Sequence, residues 1–142
     1  MPIAPGDAVV ADANVLLSAA LGKAALRVFT RFGIVVHSAR FNIDEVEEYL
    51  PRLSRRYGLP ELLVQLQWRL LPITVHEAEI YDEHLDWARG CLADRDIEDS
   101  HPLALARCLQ LPLWTNDRDL EGHGIECLPT ARLLKMLENH AT

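Results

Sequence analysis

The amino-acid sequence predicts a three-layer α/β/α fold, in which helices cover both faces of a central, mainly parallel sheet. Short apolar runs alternate along the chain with longer segments in which apolar residues recur at helical spacing. Strands and helices that alternate in this way pack as a parallel sheet covered on both faces. The length of 142 residues suits one compact domain, and no repeat or linker divides it, so we expect a single domain over residues 1–142.

The predicted strands are short apolar runs bounded by turn-forming residues. They cover residues 8–11, 34–36, 73–75, 112–115 and 125–128. The predicted helices carry apolar residues at a period near 3.6. They cover residues 14–31, 43–57, 59–70, 77–92 and 99–110, with a last helix near the C-terminus. We expect Gly22 to break the first helix, Pro51 to strain or kink the second, and Thr130 to cap the last.

The charge of the chain is unevenly distributed, which bears on a nucleic-acid partner. The net charge of −7 argues against such a partner. However, residues 1–70 carry eight Lys or Arg against seven Asp or Glu, whereas residues 71–142 carry six against fourteen. Twelve of the fourteen cationic residues are Arg, which makes forked contacts with phosphate. The acidic half is therefore either a solvated surface or a site that needs carboxylates.

No segment predicts a membrane span or secretion. The apolar runs are shorter than the ~18 residues of a spanning helix, and the first residues lack the basic start and apolar stretch of a signal peptide. Cys91, Cys108 and Cys127 match no zinc-binding pattern and are expected to be buried thiols in a reducing compartment. We therefore expect a soluble, cytoplasmic protein.

Two aspartates follow predicted strands at the edge where the carboxyl ends of the strands meet. Asp12 comes directly after the first strand, and Asp117 comes two residues after Thr115, which ends the fourth. Ligands of open parallel sheets bind beyond this edge. Two carboxylates ~4 Å apart repel by roughly 4 kcal/mol at an effective dielectric constant near 20, and a hard cation such as Mg²⁺ or Mn²⁺ removes that repulsion. The alternative is that each aspartate only caps the helix or turn that follows it.

Two more acidic residues come from predicted helices. Asp99 opens the fifth predicted helix, where an acid also serves as a cap or stabilises the helix dipole. In the second helix, at ~100° per residue, Glu48 points away from the apolar stripe, whereas Glu45 and Glu47 flank it on opposite sides. Helix geometry favours Glu45 only slightly over Glu47, so both residues stay open on this ground.

Four sequence segments resemble the four conserved blocks of PIN-domain proteins, a family that includes the VapC-type toxins of bacterial toxin–antitoxin pairs. In the order and spacing of those blocks, they are ADANVLLSA at 11–19, FNIDEVEEYL at 41–50, DSHPLALA at 99–106 and LPLWTNDRDL at 111–120. The resemblance covers nearly the whole chain. It implies a PIN-like fold and a ribonuclease that hydrolyses RNA phosphodiester bonds with Mg²⁺ or Mn²⁺. It further implies a homodimer and the toxin of a toxin–antitoxin pair, with an antitoxin protein as a possible partner.

The resemblance also implies roles for individual residues. The acids that match the family's catalytic metal ligands are Asp12, Glu45, Asp99 and Asp117. Asp119 and Asp96 match positions that are acidic in many members, and both are further candidate ligands. Asn14 and Thr115 match polar positions that orient the acids.

Other residues are candidates for contacts with RNA and with a second copy of the chain. Arg52, Arg55 and Arg56 form a cluster suited to the RNA backbone, although helix arginines are also commonly just solvated. The first two helices and the helix over residues 59–70 carry more apolar residues than one sheet face needs, which predicts a symmetric homodimer.

The same residues bear on alternative functions. A non-catalytic PIN-like module that binds RNA or protein is the main alternative, because acidic residues alone do not establish turnover. A phosphoacceptor module requires a lysine in the crevice, and neither Lys23 nor Lys135 follows a strand. A haloacid-dehalogenase-type phosphatase expects two aspartates after its first strand, where this chain has Asp12 and Asn14.

Overall fold

A parallel sheet forms the centre of the protein. The computed structural model describes residues 3–93 and 97–141. Within them the strands are β1 (Ala8–Ala11), β2 (Val35–Ala39), β3 (Ile73–His76), β4 (Leu113–Trp114) and β5 (Cys127–Leu128). They lie in the order β3-β2-β1-β4-β5, and each neighbouring pair is parallel. The predicted parallel sheet is confirmed.

Helices connect the strands. In the described residues they are α1 (Ala13–Ala20), α2 (Leu26–Arg31), α3 (Arg40–Arg56), α4 (Glu61–Leu70), α5 (Ala78–Tyr81), α6 (Leu85–Leu92), α7 (Ser100–Leu109) and α8 (Thr130–Ala141). Short 3₁₀ turns lie at Asp82–His84, Ile97–Asp99 and Arg118–Leu120. Over this part of the chain, no helix is both long and apolar enough to cross a membrane.

The helices cover both faces of the sheet. On one face, α1, α2, α3, α4 and α8 pack against Val9, Ala11 and Val36. On the other face, α5, α6 and α7 pack against Val10 and Ala39. Successive strand residues point to opposite faces, so a strand with helices on both sides buries every residue and has a continuous apolar sequence. The three-layer α/β/α arrangement is confirmed.

The strand order places a crevice at the carboxyl ends of β1 and β4. The chain leaves β1 to form β2 on one side, and it later adds β4 on the other side. At such a switch point the connections diverge, which opens a crevice beyond the strand ends. Asp12 and Thr115 directly follow these two strands, so the fold itself brings the two residues together.

Helix α3 begins earlier than the sequence pattern indicates. It starts at Arg40 and continues through Pro51 to Arg56. Pro51 has no amide to bond the carbonyl of Glu47, but Glu47 is exposed, so solvent can satisfy that carbonyl. The earlier start matters for function because it places Asn42 in the first turn of the helix, three residues before Glu45.

Two further expectations about helices were wrong, and one is confirmed. Thr130 is not the N-cap of α8, because the helix already includes it as the first residue; its hydroxyl accepts a hydrogen bond from Trp114 Nε1 at 2.9 Å. The cap is Asn116, whose Oδ1 accepts from the Thr130 amide at 2.8 Å. The predicted helix over residues 77–92 is interrupted by a 3₁₀ turn between α5 and α6. The break near Gly22 is confirmed, since α1 ends just before it and α2 starts after it.

Candidate active site

Asp12 is held by the ends of two strands. It is 5% exposed, and its amide donates to the Trp114 carbonyl of β4 at 3.3 Å. One carboxylate oxygen accepts from the Val15 amide at 3.1 Å and caps α1, while the other accepts from the Thr115 hydroxyl. Burial raises the pKa of Asp12, the hydrogen bonds from Thr115 and Val15 oppose that rise, and the charge of Asp117 adds to it. The residue is therefore both a helix cap and a buried carboxylate of the crevice.

Thr115 joins Asp12 to Asp117. Its hydroxyl donates to Asp12 and accepts from the Asp117 amide at 3.0 Å, since a hydroxyl can do both. Asp117 is half-buried, and its Oδ1 accepts from the Asp119 amide at 2.9 Å, which closes the turn after β4. Thr115 thus fixes one carboxylate and the backbone that carries another.

Glu45 lies on the second turn of α3 and faces other carboxyl groups. Asn42 Nδ2 donates to Glu45 Oε1 at 2.9 Å, and the Glu98 carboxyl group lies close enough to hydrogen-bond Glu45 when one of the two is protonated. Burial raises the pKa of Glu45 to about 7; the bond from Asn42 opposes the rise, and the charges of Glu98 and Asp99 add to it. Glu47, which helix geometry left open, is exposed and lies outside the cavity described next.

A cavity of about 220 Å³ brings acids from β1, α3 and α7 together. It is lined by Asp12, Ala13, Asn14, Asn42, Glu45, Tyr49, Glu98 and Asp99. Asp99 ends the 3₁₀ turn before α7, and its side chain makes no capping hydrogen bond to that helix. Asp117 is not among the lining residues and acts on the site through Thr115 and through its charge on Asp12.

The donors around this cavity suit a hard divalent cation. Carboxylate and amide oxygens are the ligands that Mg²⁺ and Mn²⁺ prefer. The described lining includes four carboxyl groups and no Lys, Arg or His that could balance them. Within residues 3–93 and 97–141, however, no three Asp, Glu, His or Cys side chains stand close enough to hold one ion in this arrangement. The convergence of the carboxylates on a single ion stays a prediction.

The remaining candidate ligands are placed differently. Asn14 is exposed and lines the cavity, and its supporting role stays a prediction. Asp119 lines another cavity, of about 330 Å³, together with Arg118 and His123. Asp96 lies outside the described residues. Two larger cavities, of about 450 and 400 Å³, lie at the amino ends of the strands, away from the acids.

The three arginines of the predicted RNA-binding cluster are exposed in the last turns of α3. The Arg52 guanidinium lies over the Tyr49 ring, 5.1 Å from its centroid. Tyr49 itself lines the cavity, so the Tyr49 side chain lies between Arg52 and the acids. Arg55 lies 3.7 Å from the Glu61 carboxylate in an exposed ion pair.

Sequence reasoning assigned no site role to three of the polar side chains that line the cavity: Asn42, Tyr49 and Glu98. For the first two, a signal was present. Asn42 and Tyr49 stand three residues before and four residues after Glu45, and these spacings place side chains on one helix face. The predicted helix starts too late to include Asn42, and Tyr49 fits the apolar face equally well.

Three solved structures share this fold. A toxin–antitoxin complex from Klebsiella pneumoniae has a TM-score of 0.63 at 16% identity, covering 86% of this chain and 97% of that chain. PAE2754 from Pyrobaculum aerophilum has a TM-score of 0.67 at 18% identity, with 92% and 90% covered. VapC20 from Mycobacterium tuberculosis, a toxin that cleaves the sarcin–ricin loop, has a TM-score of 0.55 at 19% identity, with 82% and 95% covered. At these identities the likeness shows the fold.

The sequence itself assigns the family. No curated protein matches the chain. A family model for the PIN domain matches residues 10–138, a range that contains the acidic cavity and Asp117. This match confirms the resemblance carried by the four sequence blocks. The chain belongs to the PIN-domain family.

Proposed function

We propose that this protein is a metal-dependent endoribonuclease that hydrolyses RNA phosphodiester bonds. The observation that carries the proposal is the cavity of about 220 Å³, where four carboxyl groups meet and the described lining contributes no cationic side chain. Core packing does not require such an arrangement, because burial penalises each charge and the charges repel one another. A divalent cation would relieve both penalties. Membership of the PIN-domain family supports nuclease activity.

Mg²⁺ or Mn²⁺ fits the oxygen donors of the site. Asp12, Glu45 and Asp99 would hold the ion, and Asp117 would add charge from the far side of Thr115. When bound, such an ion activates water and stabilises the charge that develops on the phosphate. The chain's own contribution is orientation: Thr115 holds Asp12, and Asn42 holds Glu45.

The RNA backbone is proposed to run from the cavity along the exposed side of α3. Arg52 is the first cation on this route because it lies over Tyr49 at the edge of the cavity. Arg55 and Arg56 follow within the next turn and extend the positive surface. This local arrangement of arginines offsets the net charge of −7, which would otherwise oppose RNA binding.

The decisive experiment compares two aspartates. Asp12→Asn keeps the size and most hydrogen bonds of the side chain but removes its charge, so it should abolish cleavage of single-stranded RNA in Mg²⁺ or Mn²⁺. The matched control is Asp44→Asn, an exposed acid of α3 outside the cavity, which should cleave like the wild type. A chelator should stop the wild-type reaction. Equal cleavage by wild type and Asp12→Asn would refute the proposal.

A binding module without turnover is the second candidate. It is favoured by the absence, in the described residues, of a preformed group of three metal-binding side chains. The two functions differ in outcome: the module binds RNA and leaves a broad RNA panel intact with or without Mn²⁺. The enzyme binds the same panel and cleaves it when Mn²⁺ is present.

We further propose that the chain is the toxin of a toxin–antitoxin pair and acts in the cytoplasm. The similar fold of the Klebsiella pneumoniae toxin–antitoxin complex and of VapC20 supports an antitoxin protein as a partner. Expression with and without the product of the adjacent reading frame tests this. Growth should stop only when this chain is made alone, and growth arrest should require Asp12.

Helix α4 is proposed to form a homodimer interface. Four of its leucines are 52% to 79% exposed: Leu62, Leu63, Leu66 and Leu70. An apolar stripe of this kind on a surface helix marks an interaction site, and a two-fold axis would bury it against itself. Sedimentation at tens of micromolar, roughly the range that reveals weak association, should show a dimer. Leu66→Glu should give a monomer that keeps its fold.

A further inference from the structure

We propose that Tyr81, His101 and Phe41 form a positioning stack that fixes the start of α3 relative to the start of α7. The stack would thereby set the separation between the carboxyl groups of Glu45 and Asp99. This inference rests on the proposed function for its role in cation binding, whereas the coupling between the two helix starts stands on geometry alone.

Phe41 and Tyr81 hold the imidazole ring of His101 from two directions. The rings of His101 and Phe41 are parallel, with an interplanar angle of 4° and centroids 4.0 Å apart. Tyr81 approaches His101 edge-on at 85°, and its hydroxyl oxygen lies 2.7 Å from His101 Nδ1 in a hydrogen bond. Tyr81 is fully buried, so its hydroxyl is a fixed reference point inside the layer of α5, α6 and α7.

The stack bridges two layers of the fold that are otherwise packed into separate cores. Helix α3 belongs to the core on one face of the sheet, and α7 belongs to the core on the other face. Phe41 comes two residues after the end of β2, where α3 passes beyond the carboxyl edge of the sheet. The aromatic contact therefore forms at the same edge as the acidic cavity.

Each ring lies within about one helical turn of a carboxylate. Phe41 and Glu45 are four residues apart on α3, a spacing that places them on one face. His101 follows Asp99 by two residues, at the start of α7. A displacement of the His101 ring would therefore move either Phe41 or the turn that carries Asp99, and it would change the distance between the two acids.

The carboxyl groups of the cavity explain why a contact between the two helix starts is needed. Glu45 faces Glu98 and Asp99 across one cavity, and these carboxyl groups repel one another when they are ionised. The stack opposes this repulsion through a ring contact and one hydrogen bond. None of its three side chains is among the residues that line the cavity, so the stack does not compete with the carboxylates for a cation.

The experiment uses the full chain and measures Mn²⁺ affinity together with amide hydrogen exchange at residues 40–46. His101→Leu, which removes the stack, should weaken Mn²⁺ binding by about tenfold, the lower end of the loss seen when a partner that orients a metal ligand is removed. It should also speed exchange at residues 40–46. His101→Phe should restore most of the affinity because it keeps the ring contact. Tyr81→Phe should lie between, and Tyr57→Phe, at an exposed tyrosine, should change nothing.

Loss of stability alone would not lower the affinity of the molecules that remain folded, so the affinity separates positioning from simple packing. Unchanged Mn²⁺ affinity and unchanged amide exchange in His101→Leu would overturn the inference. If His101→Leu does not fold, Phe41→Leu provides the same test. A wild type that binds no Mn²⁺ would refute the proposed function instead. In that case amide exchange still tests the stack. Unchanged exchange at residues 40–46 in His101→Leu would refute the positioning role, and faster exchange would support it.

Discussion

The candidate active site has two halves that hold their carboxylates in different ways. In the strand half, Asp12 and Asp117 follow neighbouring parallel strands and share the Thr115 hydroxyl. In the helix half, Glu45 and Asp99 come from helices of opposite layers, and Asn42 orients Glu45. The positions of the acids in the strand half are fixed by the hydrogen bonds between paired strands. The positions of the acids in the helix half depend on how the two helical layers pack.

This difference predicts different consequences of mutation. In the strand half, hydrogen bonds hold the buried Asp12 carboxylate and the backbone of Asp117 at the ends of paired strands. Removing one of these bonds leaves a buried polar group without a partner, so substitutions there should lower the free energy of unfolding. Carboxylates that face one another from two layers respond to protons and cations, so changes in the helix half should alter metal binding and the pH dependence of stability.

The largest effect is expected for Thr115→Val in the strand half. This change leaves the buried Asp12 carboxylate and the Asp117 amide without their shared partner, and unsatisfied buried groups of this kind should cost roughly 3 kcal/mol of unfolding free energy. Urea denaturation measures the loss. The control is Thr30→Val, whose hydroxyl makes an exposed bond to the Leu26 carbonyl and should matter little. A loss below that of the control would show that Thr115 does not support the site.

The next effect concerns metal binding in the helix half. At 100 times its dissociation constant, Mn²⁺ should stabilise the wild type by about 2.7 kcal/mol through ligand linkage, and Asp99→Asn should lose most of that gain. Thermal melts with and without metal measure it. Identical melting shifts in wild type and Asp99→Asn would remove Asp99 from the set of ligands.

A smaller effect concerns pH in the presence of a chelator. Because the pKa of Glu45 is raised from 4.5 to about 7, folding favours its neutral form, and the associated stability is present below pH 4.5 and lost as the pH rises to about 7. Relative to Glu45→Gln, the wild type should lose about 2 kcal/mol across this window, allowing for partial exposure. The contributions of His37 and His101 cancel in this difference. The matched control is Glu47→Gln, at an exposed position of the same helix outside the cavity.

The smallest effect is expected at the RNA-facing side of the helix half. Arg52→Ala should weaken RNA binding by a few fold and reduce the slope of log affinity against log salt by about 0.7, as for one lost phosphate contact on a single strand. Arg55→Ala should change binding less, because Arg55 is paired with Glu61. Mn²⁺ affinity should stay constant in both variants. A loss of metal affinity in Arg52→Ala would mean that the variant disturbs the cavity itself.

The sequence was sufficient for the fold class, the family and the strand half. Continuous apolar runs predict buried parallel strands, and a residue that directly follows such a strand must lie at its carboxyl end. The order of residues along the chain therefore places Asp12 and Thr115 at one edge of the sheet. The four sequence blocks indicated the PIN-domain family, and the match over residues 10–138 confirms it.

The family blocks indicated Glu45 and Asp99, but only the tertiary structure decided what these acids of the helix half contact. The choice between Glu45 and Glu47 depends on how α3 is rotated against the sheet, and the contacts of Asn42 depend on its early start. The cap of α8 by Asn116 and the stacking of Phe41 on His101 join residues far apart in the chain. Local sequence determines which residues share a face of a helix, but packing between layers determines what that face meets. Hydrogen bonds between neighbouring strands fix the position of a strand end, whereas packing against the opposite layer decides which residues a helix face contacts.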